Sequence, residues 1–393
     1  MRIPLVPFLI FFLICILIDA YIYVSAIKRG NRKAGRLLLY TSLFIYLFLI
    51  FLTILPYRSG NETVLSFVNW GLFTVITVYL PKIIYVVFDL FSFVPEIWRG
   101  RRFKPFSAVG CVLAVIAFGA MWWGAIINRF NLRIVEISVD IPDLPYSFVG
   151  YKIVQISDLH VGTYGSDSSF LDELVAKVNG LKPDLVVFTG DIVNRRTYEL
   201  DPHCSSLARI DAPDGVIAIL GNHDYGDYST WPDEDAKTAN MKALYRHFDN
   251  MGWRLLLNDH EFIHRRGDSI AVIGVENIGD PPFTVYGSLI DSYPTLNDSV
   301  TKILLSHNPM HWADEIADND SINIALTLSG HTHAMQIEIA GVSPSSLRYK
   351  YWGGLYTDSR GRSPLYVNIG IGTVGLPMRI GATPEITLIT LRR

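Results

Sequence analysis

Four long apolar runs occupy the first third of this 393-residue chain, and they constrain its fold more than any other feature. They lie at residues 3–27, 37–57, 64–91 and 106–128. A helix of roughly 20 apolar residues crosses the hydrocarbon core of a bilayer, so each run is long enough to span it. The first run is longer than the apolar part of a signal peptide, and no convincing cleavage motif follows it. The pattern predicts four transmembrane helices in a multi-pass membrane protein.

Basic residues are unevenly distributed between the loops that join these runs. The loops at 28–36 and 92–105 carry five and four of them, whereas the loop between the second and third runs carries only Arg58. The residues concerned are Lys28, Arg29, Arg32, Lys33 and Arg36 in the first loop, and Arg99, Arg101, Arg102 and Lys104 in the third. Because basic loops are retained in the cytoplasm, we expect both termini and everything after residue 128 to lie outside the cell membrane.

Three charged residues, Asp19, Lys82 and Asp89, fall within the predicted spans. Charges inside a membrane are costly and often functional. All three lie in the half of their span nearer the basic loops, so we expect them to pair between helices or to reach the interface. No transport function follows from them.

Charge separates the chain into two unlike parts. Residues 1–130 hold 13 Lys or Arg and four Asp or Glu, whereas residues 131–393 hold 21 and 33, so the net charges are +9 and −12. We predict a four-span membrane anchor at 1–130 and one globular domain at 131–393. The negative charge of the second part opposes extended binding to nucleic acid. The three cysteines, Cys15, Cys111 and Cys204, are too few and too scattered for a disulfide framework.

The second part alternates short β-branched runs with amphipathic segments. Strands are predicted at 152–157, 185–189, 216–220, 303–306 and 322–329, and helices at 168–179 and 233–251. Further strand-like runs at 270–275, 335–340, 365–368 and 385–391 suggest hairpins and a second sheet. The order predicts an α/β domain built as a layered β-sandwich flanked by helices.

Polar groups that can bind metal follow five of these strands directly. Ligand sites gather at the carboxyl ends of strands in open α/β sheets, so we expect one common site. The candidate ligands are Asp158, His160, Asp191, Asn222, His307, His331 and His333. A mixed set of carboxylate, amide and imidazole donors suits Mn, Fe or Zn. Seven ligands are too many for one tetrahedral ion and fit two divalent ions that share a bridging carboxylate.

The ordered blocks Asp-Leu-His, Gly-Asp, Gly-Asn-His-Asp, His and Gly-His-Thr-His resemble the calcineurin-like metallophosphoesterase superfamily. The segment 353–387 is similar to the membrane-anchored bacterial branch of that superfamily, which includes phosphodiesterases and enzymes similar to UDP-diacylglucosamine pyrophosphatase. Two blocks depart from the branch: Ala334 and Met335 stand where glycines are usual, and Ile369 stands where an Arg is common. Both departures bear on how substrate is held, and neither removes a ligand.

The resemblance implies two metal ions, with Mn favoured. One would be held by Asp158, His160, Asp191 and His333, and the other by Asp191, Asn222, His307 and His331. Asp191 would be the bridge, and a bridging hydroxide would attack phosphorus in line. The resemblance also implies that His223 stabilises or protonates the leaving oxygen, with Asp224 orienting its ring.

Five cations are candidates for holding the substrate phosphate: Arg348, Lys350, Arg360, Arg362 and Arg379. Arg379 is the first choice, because it follows Gly375-Leu376-Pro377 in a block that resembles the branch. The histidines outside the blocks are interpreted as surface residues, namely His203, His247, His260, His264 and His311.

Three functions remain open. The first is a membrane-tethered phosphoesterase that acts on phosphomonoesters or phosphodiesters, with the anchor favouring a lipid-linked substrate close to membrane lipids. The second is a pyrophosphatase that acts on a nucleotide-linked glycolipid, which would require a cytoplasmic domain. The third is a metal-binding sensor domain without turnover. The complete ligand set and the His223-Asp224 pair oppose the third.

Overall fold

The computed structural model describes residues 5–28, 30–56, 61–98, 100–279, 284–293 and 295–393. The chain divides into two compact units, Met1–Ile126 with Gly375–Met378, and Ile127–Val374 with Arg379–Arg393. The assignment of 1–130 and 131–393 as separate domains stays a prediction. Arg29, Arg58 and Arg99, which contribute to the predicted topology, lie outside the described residues.

The first unit is helical. Its helices are α1 (Leu5–Lys28), α2 (Arg32–Ile54), α3 (Glu62–Phe91), α4 (Val94–Ile97) and α5 (Pro105–Ile126). Asn31 and Asn61 cap α2 and α3, since their side chains accept the N–H groups of Ala34 and Val64. Four helices are long and apolar enough to cross a membrane, at Val6–Ser25, Arg32–Ile54, Glu62–Ile97 and Pro105–Phe130. The prediction of four transmembrane helices is confirmed.

The charged residues inside the spans are paired. Lys82 Nζ lies 2.8 Å from Asp19 Oδ1, and Tyr79 donates to the other oxygen of Asp19 at 2.7 Å. Asp89 is fully buried, and Arg102 Nη2 lies 2.6 Å from it. Asp19 and Lys82 therefore pair between α1 and α3 as expected, whereas Asp89 pairs with Arg102 in the loop before α5.

The described residues of the second unit form twelve strands and five short or medium α-helices. The strands are β1 (Arg133–Asp140), β2 (Lys152–Ile156), β3 (Leu185–Thr189), β4 (Val216–Ile219), β5 (Trp253–Leu255), β6 (Asp259–Arg265), β7 (Asp268–Gly274), β8 (Thr301–Leu305), β9 (Leu326–Ser329), β10 (Gly354–Tyr356), β11 (Leu365–Val367) and β12 (Glu385–Arg392). The helices are α6 (Ser169–Gly180), α7 (Cys204–Leu207), α8 (Glu234–Met251), α9 (Leu289–Ser292) and α10 (Pro309–His311).

These strands form two six-stranded sheets. Their orders are β1-β12-β2-β3-β4-β5 and β10-β11-β9-β8-β7-β6. Ile153 and Ile217 of the first sheet share one apolar cluster with Ile303 and Leu328 of the second, so the sheets pack face to face. Helices α6 and α8 cover the outer face of the first sheet. The predicted layered α/β fold is confirmed.

The carboxyl ends of the parallel strands position the site. β2, β3 and β4 are parallel neighbours in the first sheet, and β8 and β9 are parallel neighbours in the second. The loops that leave these five strands therefore emerge at one end of each sheet. Each of these loops begins with one of the blocks identified in the sequence.

The predicted strand at 335–340 is wrong. Ala334, Met335 and Gln336 have φ values of 50°, 44° and 61°, which are left-handed and incompatible with an extended chain. Only isolated bridges form beyond them, from Ile337 to Ile380 and from Ile339 to Val342. The sequence reasoning also missed β1, whose partner is β12 from the opposite end of the chain.

Candidate metal centre

All seven predicted ligands converge on one place at the ends of β2, β3, β4, β8 and β9. Asp158, His160 and His307 are completely buried, and His331 and Asn222 are partly exposed. Convergence of donors from five strands and two sheets is what the sequence pattern predicts. The donor atoms form two groups.

The first group consists of Asp158, His160 and His333. The Nε2 atoms of His160 and His333 lie 3.0 Å apart, and His333 Nε2 lies 3.2 Å from Asp158 Oδ1. His333 Nδ1 lies 3.1 Å from Arg379 Nη2 on the far side of the ring, so Nε2 is the nitrogen that faces the group. Three donors within this spacing describe one side of a coordination shell.

The second group consists of Asp191, His307 and His331, with the amide oxygen of Asn222 beside them. Asn222 Oδ1 lies 3.1 Å from His307 Nε2 and 2.9 Å from His331 Nδ1. His307 Nε2 lies 3.2 Å from Asp191 Oδ2. The four donors therefore surround one small volume.

One carboxylate oxygen of the second group also lies close to the first group. Asp191 Oδ2 lies 3.2 Å from His307 Nε2 in the second group and 3.6 Å from His160 Nε2 in the first. Ligand atoms about 2.1 Å from a common ion lie roughly 3.0 to 3.4 Å apart. The 3.2 Å separation falls within this range and the 3.6 Å separation lies just above it, so the side chains fit two divalent ions with Asp191 close to both.

The backbone at the site is held in an uncommon conformation. Five of the seven candidate ligands have left-handed φ values between 45° and 76°, namely Asp158, His160, Asp191, His331 and His333. Non-glycine residues in this region cost of order 1–3 kcal/mol each and persist only where surrounding contacts enforce them. Strain of this kind is concentrated at functional sites, which supports the assignment of this cluster.

Two glycines of the sequence blocks permit the close approach of the loops. A Cβ atom on Gly221 would meet the Asp191 carboxylate, and one on Gly330 would meet Ser157 and the Asp158 carboxylate. Any larger residue would push these ligands out of place. The glycines in the blocks therefore make room for the carboxylates.

A second set of contacts fixes which atom each ligand presents. His307 Nδ1 donates to the Thr189 carbonyl at 2.7 Å, and this leaves Nε2 for the metal side. His331 presents Nδ1, because its Nε2 lies 3.1 Å from the Tyr349 hydroxyl. Such contacts orient the rings and fix their tautomers.

Tyr228 fixes which side-chain atom Asn222 presents to the metal side. The Asn222 amide nitrogen donates to the Tyr228 hydroxyl at 2.8 Å, so its oxygen points at the imidazoles. Sequence reasoning missed both Tyr228 and Tyr349. The only available signal for Tyr228 was its place five residues after His223, and for Tyr349 there was none beyond a Tyr-rich loop.

The predicted role of Asp224 in orienting His223 is wrong. The Asp224 carboxylate is completely buried and accepts four backbone N–H groups. Oδ2 accepts from Asp191 at 2.9 Å and Gly221 at 2.8 Å, and Oδ1 accepts from Ile192 at 2.9 Å and Val193 at 3.2 Å. Asp224 therefore holds together the two turns that carry Asp191 and Asn222.

His223 is oriented by a backbone carbonyl instead. Its Nδ1 lies 2.6 Å from Asn194 O, a contact that requires Nδ1–H. Its ring stacks on Tyr228 with centroids 4.4 Å apart and meets the His160 ring edge-on at 4.9 Å. Nε2 is therefore the nitrogen available for proton exchange beside the two ligand groups. Sequence reasoning missed Asn194, because it acts through its backbone.

The electrostatics of the cluster suit metal binding. Burial and the neighbouring His307 lower the pKa of His331 to about 4, and burial with the nearby His223 keeps the pKa of His160 well below its usual value. Burial also opposes charge on His307, but the Asp191 carboxylate raises its pKa to about 9. Burial and the Asp191 charge raise the pKa of Asp224 to about 7 despite its four N–H donors. His160 and His331 are thus neutral ligands at neutral pH.

Arg379 does not hold substrate, contrary to the first choice made from sequence. Its side chain is completely buried, and its donors reach the carbonyls of Gly372, Ala382 and Ile369 as well as His333. All of its donor groups face the protein, so its position supports His333 and the closing loops.

The other candidate cations fall into two pairs. Arg360 and Arg362 both pair with Asp320. Arg348 and Lys350 are exposed and flank Tyr349, whose hydroxyl meets His331. Only the second pair therefore adjoins a residue that contacts one of the candidate ligands.

Two histidines interpreted as surface residues are in fact buried. His203 lies 2.8 Å from the Ser168 hydroxyl and 3.0 Å from the Gly165 carbonyl. His311 is the last residue of α10, which starts at Pro309, and its Nδ1 lies 2.9 Å from the Ser306 hydroxyl. Both satisfy local hydrogen bonds away from the seven ligands.

Comparison with known proteins matches both parts of the chain to families. The family described as calcineurin-like phosphoesterase matches residues 151–335, and the one described as probable calcineurin-like phosphoesterase, transmembrane domain, matches residues 1–129. Among curated proteins, an uncharacterized metallophosphoesterase of Bacillus subtilis is 33% identical over 71% of this chain and 92% of its own length.

Two further relatives are informative. An uncharacterized metallophosphoesterase of Campylobacter jejuni is 28% identical over 98% of this chain and 99% of its own length. The UDP-2,3-diacylglucosamine pyrophosphatase of Chlamydia trachomatis is 28% identical over 68% of this chain and 91% of its own length. The first similarity extends over the membrane helices as well as the globular unit.

Proposed function

The chain belongs to the calcineurin-like phosphoesterase family, and on that premise we propose that it is a membrane-tethered, dinuclear metal-dependent hydrolase of phosphomonoester or phosphodiester bonds. The observation that carries the proposal is Asp191 Oδ2, which lies within reach of both ligand groups. Metal-dependent phosphoryl transfer uses two ions a few ångströms apart, and a shared carboxylate sets that separation. A site for a single ion would not need the oxygen in both groups.

The proposed ligand assignment follows the two groups. Asp158, His160, Asp191 and His333 would hold one ion, and Asp191, Asn222, His307 and His331 the other. The mixed oxygen and nitrogen donors suit Mn, Fe or Zn, with Mn favoured. When bound, the two ions would supply Lewis-acid charge for the phosphoryl oxygens and would acidify a water between them.

The remaining chemistry falls to His223. The Asn194 carbonyl accepts its Nδ1–H, and in the imidazolium form the ring would donate its Nε2 proton to the leaving oxygen. Tyr228 stacks on the same ring and also fixes Asn222, so one residue aligns the proton donor with a metal ligand. A phosphate bound by the two ions would therefore lie close to this proton source.

The test is hydrolysis of chromogenic phosphate monoesters and diesters by the full chain purified in detergent. Turnover should require added Mn, should cease with a chelator, and should fall at least about 100-fold in Asn222→Ala, because the second ion loses an oxygen ligand. Asn297→Ala, at an exposed position outside the site, is the matched control. Turnover that survives both the chelator and Asn222→Ala would refute the proposal.

We further propose that the globular unit lies outside the cell membrane and acts on a lipid-linked phosphoester. The basic loops of the sequence support the orientation, and the four membrane helices keep the site near lipids. A C-terminal fusion to a reporter that is active only outside the cytoplasm should be active. Activity of a reporter restricted to the cytoplasm would contradict this orientation.

The alternative is a pyrophosphatase that acts on a nucleotide-linked glycolipid. It is favoured by the similarity to the Chlamydia trachomatis enzyme. It requires that the globular unit lies in the cytoplasm, because nucleotide-linked substrates are expected there. The reporter fusion therefore distinguishes the two. A cytoplasmic result, together with release of a nucleoside monophosphate from a UDP-linked glycolipid, would make this alternative the leading function.

A further inference from the structure

An exposed apolar loop leaves the metal centre and returns to it. Beyond residue 130, eleven large apolar side chains are exposed among the described residues, and five of them lie between residues 335 and 355. They are Met335, Ile339, Val342, Leu347 and Leu355, exposed by 44%, 66%, 67%, 92% and 45%. Soluble surfaces rarely concentrate large apolar groups in this way, so the segment marks an interaction surface.

The loop, defined here as residues 335–350, is ordered by its own hydrogen bonds. Ile339 and Val342 exchange backbone hydrogen bonds, which makes their exposed side chains neighbours. The Ser343 hydroxyl donates to the Ala334 carbonyl at 2.6 Å, and Tyr349 N donates to Ser345 O at 2.8 Å. The apolar side chains are thus presented outward by a built structure.

Both ends of the loop are joined to the metal ligands. Met335 follows His333 by two residues, and the Tyr349 hydroxyl lies 3.1 Å from His331 Nε2. A partner that covers the loop would therefore lie close to the candidate ligands and to the place where phosphate would bind.

The charges on the loop indicate what covers it. Arg348 and Lys350 are exposed within three residues of Leu347 and outnumber the one acidic residue of the loop, Glu338, whereas the globular part as a whole carries −12. Apolar side chains flanked by basic residues bind the surface of anionic bilayers, where the apolar groups enter the acyl boundary and the cations meet lipid phosphates. The last candidate span ends at Phe130 and β1 starts at Arg133, so two residues of chain connect a membrane span to the first strand.

We propose that the loop 335–350 is a membrane-docking surface. Met335, Ile339, Val342 and Leu347 enter the acyl boundary of an anionic bilayer, and Arg348 and Lys350 bind lipid phosphates. Docking brings the metal centre to the headgroup level, which specifies a phosphoester lipid as the substrate class. That last step rests on the proposed function, whereas docking itself does not.

The docking is tested on the full chain in vesicles. A single cysteine is placed at Leu347 after Cys15, Cys111 and Cys204 are replaced by Ser, and it is labelled with bimane in vesicles of phosphatidylcholine and phosphatidylglycerol. Lipids that carry a doxyl group should quench the label at 347 strongly, and aqueous iodide weakly. A label at Ile290, which is 58% exposed on α9, is the control and should show the reverse.

The consequence for activity is tested with Leu347→Asp. Burying one leucine side chain shifts partitioning by more than about tenfold, so KM for phosphatidic acid in vesicles should rise at least about fivefold. The soluble chromogenic ester should be hydrolysed at an unchanged rate, and Ile290→Asp should leave both substrates unaffected. The double variant Arg348→Glu with Lys350→Glu should also raise KM, and more strongly in anionic vesicles than in neutral ones.

The outcomes separate the two proposals. Equal iodide quenching at 347 and 290 would overturn docking, even if the soluble ester is hydrolysed. Crosslinking between two copies at 347 in place of lipid quenching would also overturn it and would identify a second copy as the occupant. Lipid quenching at 347 without hydrolysis of any ester would support docking and refute the proposed hydrolase.

Discussion

Asp224→Asn is the substitution that most directly tests how the metal centre is built. The carboxylate accepts two N–H groups on each oxygen, from Asp191 and Gly221 on one and from Ile192 and Val193 on the other. An asparagine has the same shape but only one acceptor oxygen. In either orientation its amide group therefore faces two N–H donors.

The expected loss of stability follows from those two donors. A buried N–H group without an acceptor costs about 1–3 kcal/mol, so Asn at position 224 should destabilise the protein by about 2–6 kcal/mol. Each kcal/mol lowers the melting temperature by about 2–4 °C for a domain of this size. A decrease of between about 4 and 24 °C is expected, accompanied by weaker Mn binding because Asp191 is no longer held by its backbone.

The assay is thermal unfolding of the full chain in detergent, with and without Mn, beside isothermal titration with Mn. Asp235→Asn, an exposed residue in the first turn of α8, is the matched control and should shift the melting temperature by less than about 2 °C. If Asp224 acted on His223 instead, the asparagine variant would keep its melting temperature and Mn affinity and would change only the pH dependence of turnover. That result would refute the structural role.

Three further expectations concern the same centre. Because Asp191 raises the pKa of His307 to about 9 despite burial, Mn binding at pH 7 should release about one proton, and the apparent affinity should fall about tenfold per pH unit below pH 9. Titration calorimetry in buffers of different ionisation enthalpy measures this release, and a value below roughly 0.2 proton would contradict it. Arg379→Met should lower the free energy of unfolding by about 3 kcal/mol or more, because several buried acceptors lose their donor; a selective rise in KM at unchanged melting temperature would instead favour a substrate contact. Tyr228→Phe should weaken Mn binding by about tenfold with little change in melting temperature, since Asn222 loses the group that orients it; binding equal to that of the unsubstituted protein would show that Asn222 needs no such support.

The sequence predicts that the candidate ligand side chains converge, because each of them directly follows a strand that can be recognised from its residues. A buried β-branched run followed by Asp or His places that side chain at a strand end, and parallel strands bring their ends together. The convergence of Asp158, Asp191 and His307 follows from this rule alone. The layered sheets follow from the same alternation of strands and helices.

The sequence could not predict features that depend on the direction of a side chain or on contacts between residues far apart in the chain. Asp224 adjoins His223 in the chain, yet the turn sends its carboxylate toward the backbone of Asp191 and not toward the ring. Arg379 resembled a phosphate ligand by position, but its burial could be seen only once the closing loops were folded around it. The strand expected at 335–340 fails because left-handed Ala334 and Met335 interrupt it, and propensity does not report φ at a single residue.

The shared oxygen of Asp191 has a thermodynamic consequence. If both ions bind through it, their affinities are coupled and reciprocal, since each ion alters the charge that the other meets. The group with Asp158 has a carboxylate of its own, whereas the group with Asn222 has only its share of Asp191. The first group should therefore bind Mn at a lower concentration than the second. Turnover should then begin only at the Mn concentration that fills the second group.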